Sequence, residues 1–254
     1  MDRTMEMVHR ADIQFLDTRS EADYLTGHLP GARHLDAGWL RTEVDGIPKQ
    51  ALLRSDADQR FTEVGLDASL PVVVYGAQND TATARAFWSL AFFGADAGLR
   101  LLDGGVDAWT RAGGALETRS PTNLANEWGG SASREQLQVD KDWILERLDD
   151  PDLLLVDVRS NDEYQAGHIP GAIHVEWTEN LDADGLFHPS DTVLAIHGDP
   201  SASTVVVYCQ SGARASVSWA LLTFAGLDDV RLYDGSWNEW GTDPDTPKML
   251  GEEP

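Results

Sequence analysis

Hydrophobic positions in this chain gather in short unbroken runs, separated by longer segments with a mixed, helix-like pattern. Residues 72–74 and 205–207 both read Val-Val-Val, with no alternation of apolar and polar side chains. Strands buried on both faces have this pattern, and they occur in parallel sheets that helices cover. The pattern predicts an α/β fold, with small central parallel sheets that have helices on both faces.

A long internal repeat divides this pattern into two copies. Residues 16–35 (LDTRSEADYLTGHLPGARHL) align with residues 156–175 (VDVRSNDEYQAGHIPGAIHV). A second block pairs the segments that begin at Val72 and Val205, and a third pairs RLLDGGVDAW with RLYDGSWNEW. The period is too long for a solenoid, so we expect two tandem copies of one domain.

Each copy has the same order of predicted elements. A strand ends in Asp-x-Arg, and a polar helix and a Gly-His-[Leu/Ile]-Pro-Gly turn follow it. A variable stretch with an acidic loop comes next, at residues 42–49 in the first copy. Residues 118–134 are polar, rich in Gly and Ser, and aperiodic. We therefore expect domain 1 at residues 1–117, a linker at 118–134 and domain 2 at 135–254.

Composition bears on partners and location. The chain has 43 acidic and 19 basic residues, and its formal net charge of −24 is spread along the sequence. Such a surface repels nucleic acids and anionic membranes, so neither is an expected partner. Its acidity fits either an ordinary solvated surface or adaptation to high salt. We expect a cytoplasmic location, because no apolar run resembles a membrane span or a secretory signal and one cysteine forms no internal disulfide.

The single cysteine, Cys209, follows the second apolar run and precedes a predicted helix at residues 215–224. Ligands of α/β sheets bind beyond the carboxyl ends of the strands, where helix N-termini direct their N–H groups. That setting favours the ionised form of a thiol. Gly212 permits a tight turn and Arg214 adds positive charge. These residues predict a cradle for an anionic sulfur.

An inert buried cysteine is the alternative, because free cysteine is among the most buried residue types. The first copy argues against it. Gly76 stands there in place of Cys209, so the fold does not require the thiol. A packing role would favour a small apolar side chain, which glycine lacks. We therefore predict that Cys209 is catalytic.

These motifs resemble those of the rhodanese superfamily, and specifically its tandem-domain sulfurtransferases of the thiosulfate or 3-mercaptopyruvate type. Residues 24–32 and 164–172 match the N-terminal signature of the family twice, and LYDGSWNEW at 232–240 matches its C-terminal signature. CQSGAR at 209–214 is similar to its six-residue active loop. The resemblance implies an inactive first domain and an active second one.

The resemblance also implies a two-step reaction. The Cys209 thiolate takes a sulfur from a small anionic donor, such as thiosulfate or 3-mercaptopyruvate, and the resulting persulfide passes it to cyanide or a thiol. No metal or organic cofactor is implied, and the protein is expected to be a monomer. The predicted substrate-binding residues are Gln210, Ser211, Gly212, Ala213, Arg214 and Trp237.

Other repeated residues have a structural interpretation. Asp157 and Arg159 recur in the copy without the thiol, as Asp17 and Arg19, so we expect a structural ion pair. The same reasoning gives His28 and His168 a structural role at their turns. Trp237 has Val106 at the matching position of the first copy. Its side chain is expected either to line the active cleft or to pack in the core.

Two other classes of function remain for comparison. Phosphatases and arsenate reductases of the same fold use C-x5-R loops that fit phosphate, whereas Arg214 here gives C-x4-R, and Tyr208 replaces their usual histidine. A non-catalytic binding module suits the first copy better than the second, which keeps thiol, glycine and arginine together. Phosphatase activity and a wholly non-catalytic chain are thus disfavoured.

The sulfur donor is the harder choice. The loop combines the Ser-Gly of mercaptopyruvate-type enzymes with a basic residue typical of thiosulfate-type ones. Mercaptopyruvate enzymes tend to carry an arginine in an insertion before the Gly-His-Ile-Pro turn, and residues 160–166 contain none. We therefore expect thiosulfate as the donor, with 3-mercaptopyruvate as the alternative.

Overall fold

The apolar runs of the first copy form a four-stranded parallel sheet. The computed structural model describes residues 10, 12–95, 97–122, 127–198, 200 and 204–253. The strand order in this sheet is β2-β1-β5-β6, and every pair is parallel. Its central strands carry only buried side chains, as the unbroken apolar pattern predicts. The strands are β1 (Gln14–Asp17), β2 (Arg33–His34), β5 (Val72–Tyr75) and β6 (Leu99–Leu101).

The second copy forms a five-stranded parallel sheet in the order β7-β11-β10-β8-β9. Its pairing repeats that of the first sheet, since Asp157 lies beside Tyr208 as Asp17 lies beside Tyr75. The prediction of small parallel sheets in an α/β fold is confirmed. The strands are β7 (Gln138–Val139), β8 (Leu153–Asp157), β9 (Ala172–His174), β10 (Thr204–Tyr208) and β11 (Val230–Tyr233).

Helices connect the strands and surround both sheets. In the first copy they are α1 (Glu21–Thr26), α2 (Arg54–Glu63), α3 (Thr81–Phe92) and α4 (Gly105–Arg111). In the second they are α5 (Lys141–Leu145), α6 (Asn161–Ala166), α7 (Ser190–Ile196), α8 (Ala213–Phe224) and α9 (Ser236–Trp240). Short 3-10 helices occur at Ala37–Leu40, Glu135–Leu137 and Trp177–Asn180. Among the described residues, no helix has the length and apolarity that a membrane crossing requires.

Apart from Thr42–Gln50, which belongs to the second unit, the chain divides into two units between Arg134 and Glu135. The stretch 118–134, which the sequence predicts to be a linker, falls in the first unit. Residues 123–126 lie outside the described part of the chain. Beyond them, Trp128 is 1% exposed, and its ring centroid lies 4.6 Å from that of Phe61. Its indole N–H donates to the carbonyl of Phe93 at 3.1 Å. The part of this stretch around Trp128 is therefore packed within the first unit.

The acidic loop expected at residues 42–49 is instead a β-hairpin. Strands β3 (Arg41–Val44) and β4 (Ile47–Ala51) pair around Asp45 and Gly46, whose φ angles are 51° and 81°. Asp-Gly favours the two-residue hairpin turn because both of its positions need positive φ. Residues Thr42–Gln50 belong to the second unit, where Gln50 Nε2 donates to the carbonyl of Asp234 at 3.2 Å.

Two ion pairs with little exposure brace the ends of strands β1 and β8. Arg159 donates to Asp157 Oδ2 at 2.6 Å and to the carbonyl of Gly167 at 2.5 Å. Arg19 repeats these bonds to Asp17 and Gly27, at 2.6 and 2.7 Å. The structural role expected for these pairs is confirmed, since they hold the turns after helices α1 and α6 in the same way.

The two turn histidines are structural as well. Nδ1 of His28 lies 2.8 Å from the carbonyl of Tyr24, and Nδ1 of His168 lies 3.0 Å from that of Tyr164. In both copies the imidazole stacks on the tyrosine ring, with centroids 3.8 Å apart. These contacts confirm that the histidines support the turn.

Candidate active site

Cys209 lies immediately after β10, at the carboxyl end of a central strand. The residue is 1% exposed. Its backbone N–H lies 3.3 Å from Ser236 Oγ, and its carbonyl accepts a hydrogen bond from the Trp237 N–H at 2.9 Å. The segment that follows β11 therefore holds the cysteine backbone from both sides, which sets the direction of the thiol.

The loop turns sharply into helix α8 at Gly212, whose φ of 80° lies in the left-handed region. Glycine adopts this conformation without strain, as the sequence predicts. The helix begins at Ala213, two residues earlier than expected, so Ala213 and Arg214 form part of its first turn. A helix of 12 residues directs its unpaired N–H groups and the positive end of its dipole back toward Cys209.

Arg214 is the last residue of the 209–214 loop, and a carboxylate holds its side chain. Its Nη1 donates to Glu163 Oε2 at 2.6 Å, and its Nη2 donates to Glu163 Oε1 at 2.9 Å. The hydrogen bonds to Glu163 and the neighbouring Cys209 side chain raise the pKa of Arg214. The structure thus places Arg214 in the first turn of the helix that follows Cys209 and adds Glu163, which the sequence analysis did not single out.

Gln210 is tied to the segment after β11. Its side-chain Nε2 donates to Asn238 Oδ1 at 2.7 Å, and its carbonyl accepts from the Asn238 N–H at 3.0 Å. Ser211 is buried within the loop. Asn238 therefore joins the site as a support for the loop, and the side chain of Gln210 has a partner within the protein.

Ser236 is a second residue that the sequence analysis missed. It is buried, and its φ of 52° is unusual for a residue with a Cβ. Its hydroxyl donates to the carbonyl of Tyr233 at 2.7 Å and lies next to the Cys209 N–H. Strained backbone of this kind concentrates at functional sites. The matching position of the first copy is Gly105, with φ of 56°, so the exchange of glycine for serine was a signal in the sequence.

Trp237 is predicted to line the site, and its side chain contacts the surrounding protein. The Arg159 guanidinium lies 4.4 Å from the indole centroid. The ring also occupies the space beside Gly167, where a Cβ added to that glycine would approach it to 3.0 Å. The side chain is partly buried and packs against the core of the second unit. These contacts favour the packing interpretation, while the backbone N–H of Trp237 reaches Cys209 directly.

The corresponding position of the first unit has no room for a thiol. A Cβ on Gly76 would lie 2.0 Å from Thr83 Oγ1 and 3.0 Å from Thr18 Oγ1. These two hydroxyls are hydrogen-bonded to each other at 2.8 Å. The first unit has therefore filled the space that Cys209 occupies in the second.

In the first unit, one loop amide and one amide of the first turn of α3 are also engaged by carboxylates. The Gln78 N–H donates to Asp107 Oδ2 at 2.8 Å, and the Ala82 N–H donates to Asp80 Oδ1 at 2.9 Å. The repeat alignment places Asn238 and Ala213 at these acidic positions in the second unit. The second unit thus lacks the carboxylates that engage the loop of the first.

Metal ligation has no support in the described ranges, where no cluster of three or more His, Cys, Asp or Glu side chains could hold a metal ion. The chemistry available from the described residues is that of a single thiol, an arginine and backbone N–H groups. Such a set can stabilise a thiolate and an anion that approaches it.

Comparison with known proteins places both copies of the repeat in one family of domains. The model of the rhodanese-like domain matches residues 1–112 and again residues 140–243. The sulfur carrier protein TtuD of Thermus thermophilus is 31% identical over 91% of this chain and 88% of its own length. In Pseudomonas aeruginosa, a thiosulfate sulfurtransferase is 31% identical, covering 93% of this chain and 90% of that protein. A probable 3-mercaptopyruvate sulfurtransferase of the same organism is 33% identical, with coverages of 90% and 86%.

Solved structures of EanB share the fold at low identity. Wild-type EanB superposes with a TM-score of 0.84 and 26% identity, covering 95% of this chain and 64% of that chain. This chain therefore spans slightly less than two thirds of the EanB chain. Another EanB structure, with a cysteine persulfide in a tetrahedral intermediate state with ergothioneine, has a TM-score of 0.84. Since the domain model matches both copies and thus most of the sequence, this chain belongs to the rhodanese family and is a tandem-domain member of its sulfurtransferases.

Proposed function

We propose that this protein moves a sulfane sulfur from thiosulfate to a thiophilic acceptor through a persulfide on Cys209. The observation that carries the proposal is the place of the only cysteine. It directly follows a central parallel strand and precedes the N-terminus of α8, whose first turn carries Arg214. The first unit keeps the same frame and fills this position with threonine side chains.

The first half-reaction loads the sulfur. The Cys209 thiolate attacks the outer sulfur of thiosulfate, a new S–S bond forms, and the S–S bond within the donor breaks. Sulfite leaves with the electron pair of that bond, and the protein keeps a persulfide. The backbone N–H groups of residues 210–214 and the guanidinium of Arg214 stabilise the negative charge in this step.

The second half-reaction returns the free enzyme. The carbon of cyanide, or the sulfur of a thiol acceptor, attacks the outer sulfur of the persulfide, and the Cys209 thiolate leaves. Both steps exchange one bond to sulfur for another, so we propose that no metal or organic cofactor takes part. The persulfide in an EanB structure supports this route, because that chain shares the fold.

The donor is proposed to be thiosulfate, and 3-mercaptopyruvate is the second candidate. Relatives named for each donor match this chain with similar identity, 31% for the thiosulfate enzyme and 33% for the probable mercaptopyruvate enzyme. The basic residue in the loop supports thiosulfate, which carries two negative charges. Of the predicted binding residues, Gly212 and Ala213 contribute backbone only. Trp237 is proposed to border the site through its backbone.

The test is a steady-state assay of thiocyanate formation from thiosulfate and cyanide, beside pyruvate formation from 3-mercaptopyruvate. We expect the larger kcat/KM with thiosulfate and background activity for Cys209→Ser. A serine variant with undiminished activity would overturn the mechanism, and a larger kcat/KM with 3-mercaptopyruvate would replace the donor. A faster turnover of p-nitrophenyl phosphate than of either donor would favour a phosphatase.

The location and assembly of the protein remain predictions. A cytoplasmic location fits a chain with one free cysteine. A monomer is expected because two domains lie in one chain, and the mass in solution tests that expectation.

A further inference from the structure

The ion pair between Glu163 and Arg214 joins helix α6 to the first turn of α8, across 51 residues of sequence. Both carboxylate oxygens accept from Arg214, at 2.6 and 2.9 Å, through its two terminal nitrogens. This end-on pairing engages one N–H of each terminal nitrogen, so the other N–H groups of the guanidinium stay available. A bidentate pair also sets the plane of the guanidinium, which a single contact does not.

Glu163 is itself held in place from the other side. Its Oε2 accepts from the Ser160 N–H at 3.1 Å and from the Ser160 hydroxyl at 2.9 Å, as part of the capping box of α6. With the two bonds from Arg214, the carboxylate has four donors around it. The carboxylate is therefore a rigid anchor, whereas an arginine alone would swing on a flexible side chain.

The first unit shows that the helix cap does not need this glutamate. Helix α1 starts and ends at the positions equivalent to those of α6, and its Ser20 caps it by accepting from the Asp23 N–H at 3.2 Å. Asp23 matches Glu163 in the repeat, and Thr81 matches Arg214. The longer acidic side chain and the arginine therefore occur together, and only in the copy that has the thiol.

We propose that Glu163 is a positioning residue for sulfur transfer, which holds the guanidinium of Arg214 beside the Cys209 sulfur so that its remaining N–H groups meet the anionic end of the donor. This role rests on the proposed function of the site. It goes beyond helix capping, because the equivalent helix of the first unit has an aspartate at this position and Ser20 caps it all the same. In this proposal, the positive charge that Arg214 presents to Cys209 depends on Glu163, a residue that does not contact the sulfur.

The experiment exploits the single cysteine, because any alkylation of the folded protein reports on Cys209 alone. The rate of reaction with iodoacetate, an anion, is divided by the rate with neutral iodoacetamide. This ratio measures the positive charge beside the sulfur and does not depend on sulfur transfer. The variants are Glu163→Asp, which copies the first unit, Arg214→Gln, and the two substitutions together.

We expect Arg214→Gln to lower the ratio about tenfold, since it removes a charge next to the sulfur. Glu163→Asp should lower the ratio nearly as much although it leaves the arginine in place. The double variant should show no further fall, because both substitutions remove the same contact. A wild-type ratio in Glu163→Asp, or two effects that multiply in the double variant, would overturn the proposal.

The matched kinetic readout is kcat/KM for thiosulfate, which should fall about tenfold in Glu163→Asp, with an unchanged melting temperature. A variant that melts lower yet keeps the wild-type kcat/KM would make Glu163 a structural residue only. Should Glu163→Asp not fold, Arg214→Lys keeps the charge but cannot form the bidentate pair with Glu163, and it should lower the ratio by an intermediate amount. If wild-type protein forms no thiocyanate, the proposed function fails, while the alkylation ratio still decides the role of Glu163.

Discussion

The two units build the same frame around the end of the central strand and then diverge at one residue. In both, the carbonyl of that residue accepts a hydrogen bond from the segment after the last strand, at 2.9 Å for Gly76 and for Cys209. In both, the preceding tyrosine hydroxyl accepts from the Gly-His-[Leu/Ile]-Pro turn, at 3.0 Å. The frame is therefore independent of the thiol that the second unit carries.

The difference extends beyond the missing cysteine. In the first unit, threonine hydroxyls fill the place of the thiol and carboxylates engage the loop amides. In the second, Arg214 and Glu163 replace Thr81 and Asp23, and no acidic residue stands at either of the two loop positions. One domain architecture thus supports two different loops at the end of the central strand, and several coordinated changes separate them.

The strongest prediction transplants the thiol. Gly76→Cys combined with Cys209→Ser should not restore activity. The new Cβ would lie 2.0 Å from Thr83 Oγ1, and the Gln78 N–H already donates to Asp107, so it is not available to bind thiosulfate. Overpacking should also destabilise the first unit by about 1–3 kcal/mol. Thiocyanate assays and urea unfolding measure the two effects.

A matched variant separates the steric clash at position 76 from the effect of the carboxylates on the loop. Adding Thr83→Ser, the residue that the second unit has at this position, removes the methyl group and so lets the hydroxyl rotate away from the new Cβ, which should recover part of the stability. Activity should still be absent. Recovery of even a few per cent of wild-type turnover would mean that the thiol alone distinguishes the two units.

The next prediction concerns the segment expected to be a linker. Trp128→Ala should destabilise the first unit by about 3–5 kcal/mol, because the indole is buried on Phe61 and bonded to Phe93. In this variant, backbone amide hydrogen exchange should become faster in strands β1 and β5 and stay unchanged in β8 and β10. Equal changes in both sheets, or none, would contradict the assignment of this segment to the first unit.

The ion pairs Asp157–Arg159 and Asp17–Arg19 allow a quantitative comparison of stability between the two units. Asp157→Asn should lower the free energy of unfolding by about 3–5 kcal/mol, since it leaves Arg159 buried without its carboxylate partner. Asp17→Asn should cost about 1 kcal/mol less, because the Arg19 side chain is 11% exposed where that of Arg159 is 1% exposed. Urea unfolding of the two variants measures the difference, and a larger loss for Asp17→Asn would reverse the account.

The smallest effect is a pH dependence confined to the second unit. Hydrogen bonds from Arg214 lower the pKa of Glu163 from 4.5 to about 2. A lowered carboxyl pKa adds stability above pH 4.5, and that stability is lost as the pH falls toward 2. A third of the side chain is exposed, so we expect only about 1–2 kcal/mol.

Melting temperatures of wild type and Glu163→Gln should therefore differ at about pH 6 and converge as the pH falls from 4.5 toward 2. Arg214→Gln should show the same convergence, because it removes the partner that lowers the pKa. A constant difference over this interval would assign the effect of Glu163 to the helix cap instead of the ion pair.

Much of this fold could be predicted because the chain contains its own comparison. The apolar runs and the repeated turns indicated the strands, the two parallel sheets and the structural roles of Asp157 and His168. The position of Cys209 followed from the strand before it and Gly212 after it. These features depend on local pattern, which a sequence shows directly.

The remaining features depend on contacts between distant residues. Glu163 and Arg214 are 51 positions apart, and only their bidentate geometry reveals the pair. Trp128 lies in a polar stretch whose composition hides one buried indole. The hairpin at residues 42–50 did carry a local signal, Asp45-Gly46, that outweighed the acidic character of the segment.

The most direct test of the account is the mass of the intact protein after incubation with thiosulfate. We predict that the wild type gains one sulfur atom, that cyanide removes it, and that Cys209→Ser gains none. A wild-type protein that gains no sulfur, or a serine variant that gains one, would contradict the assignment of sulfur transfer to Cys209 and to the second unit.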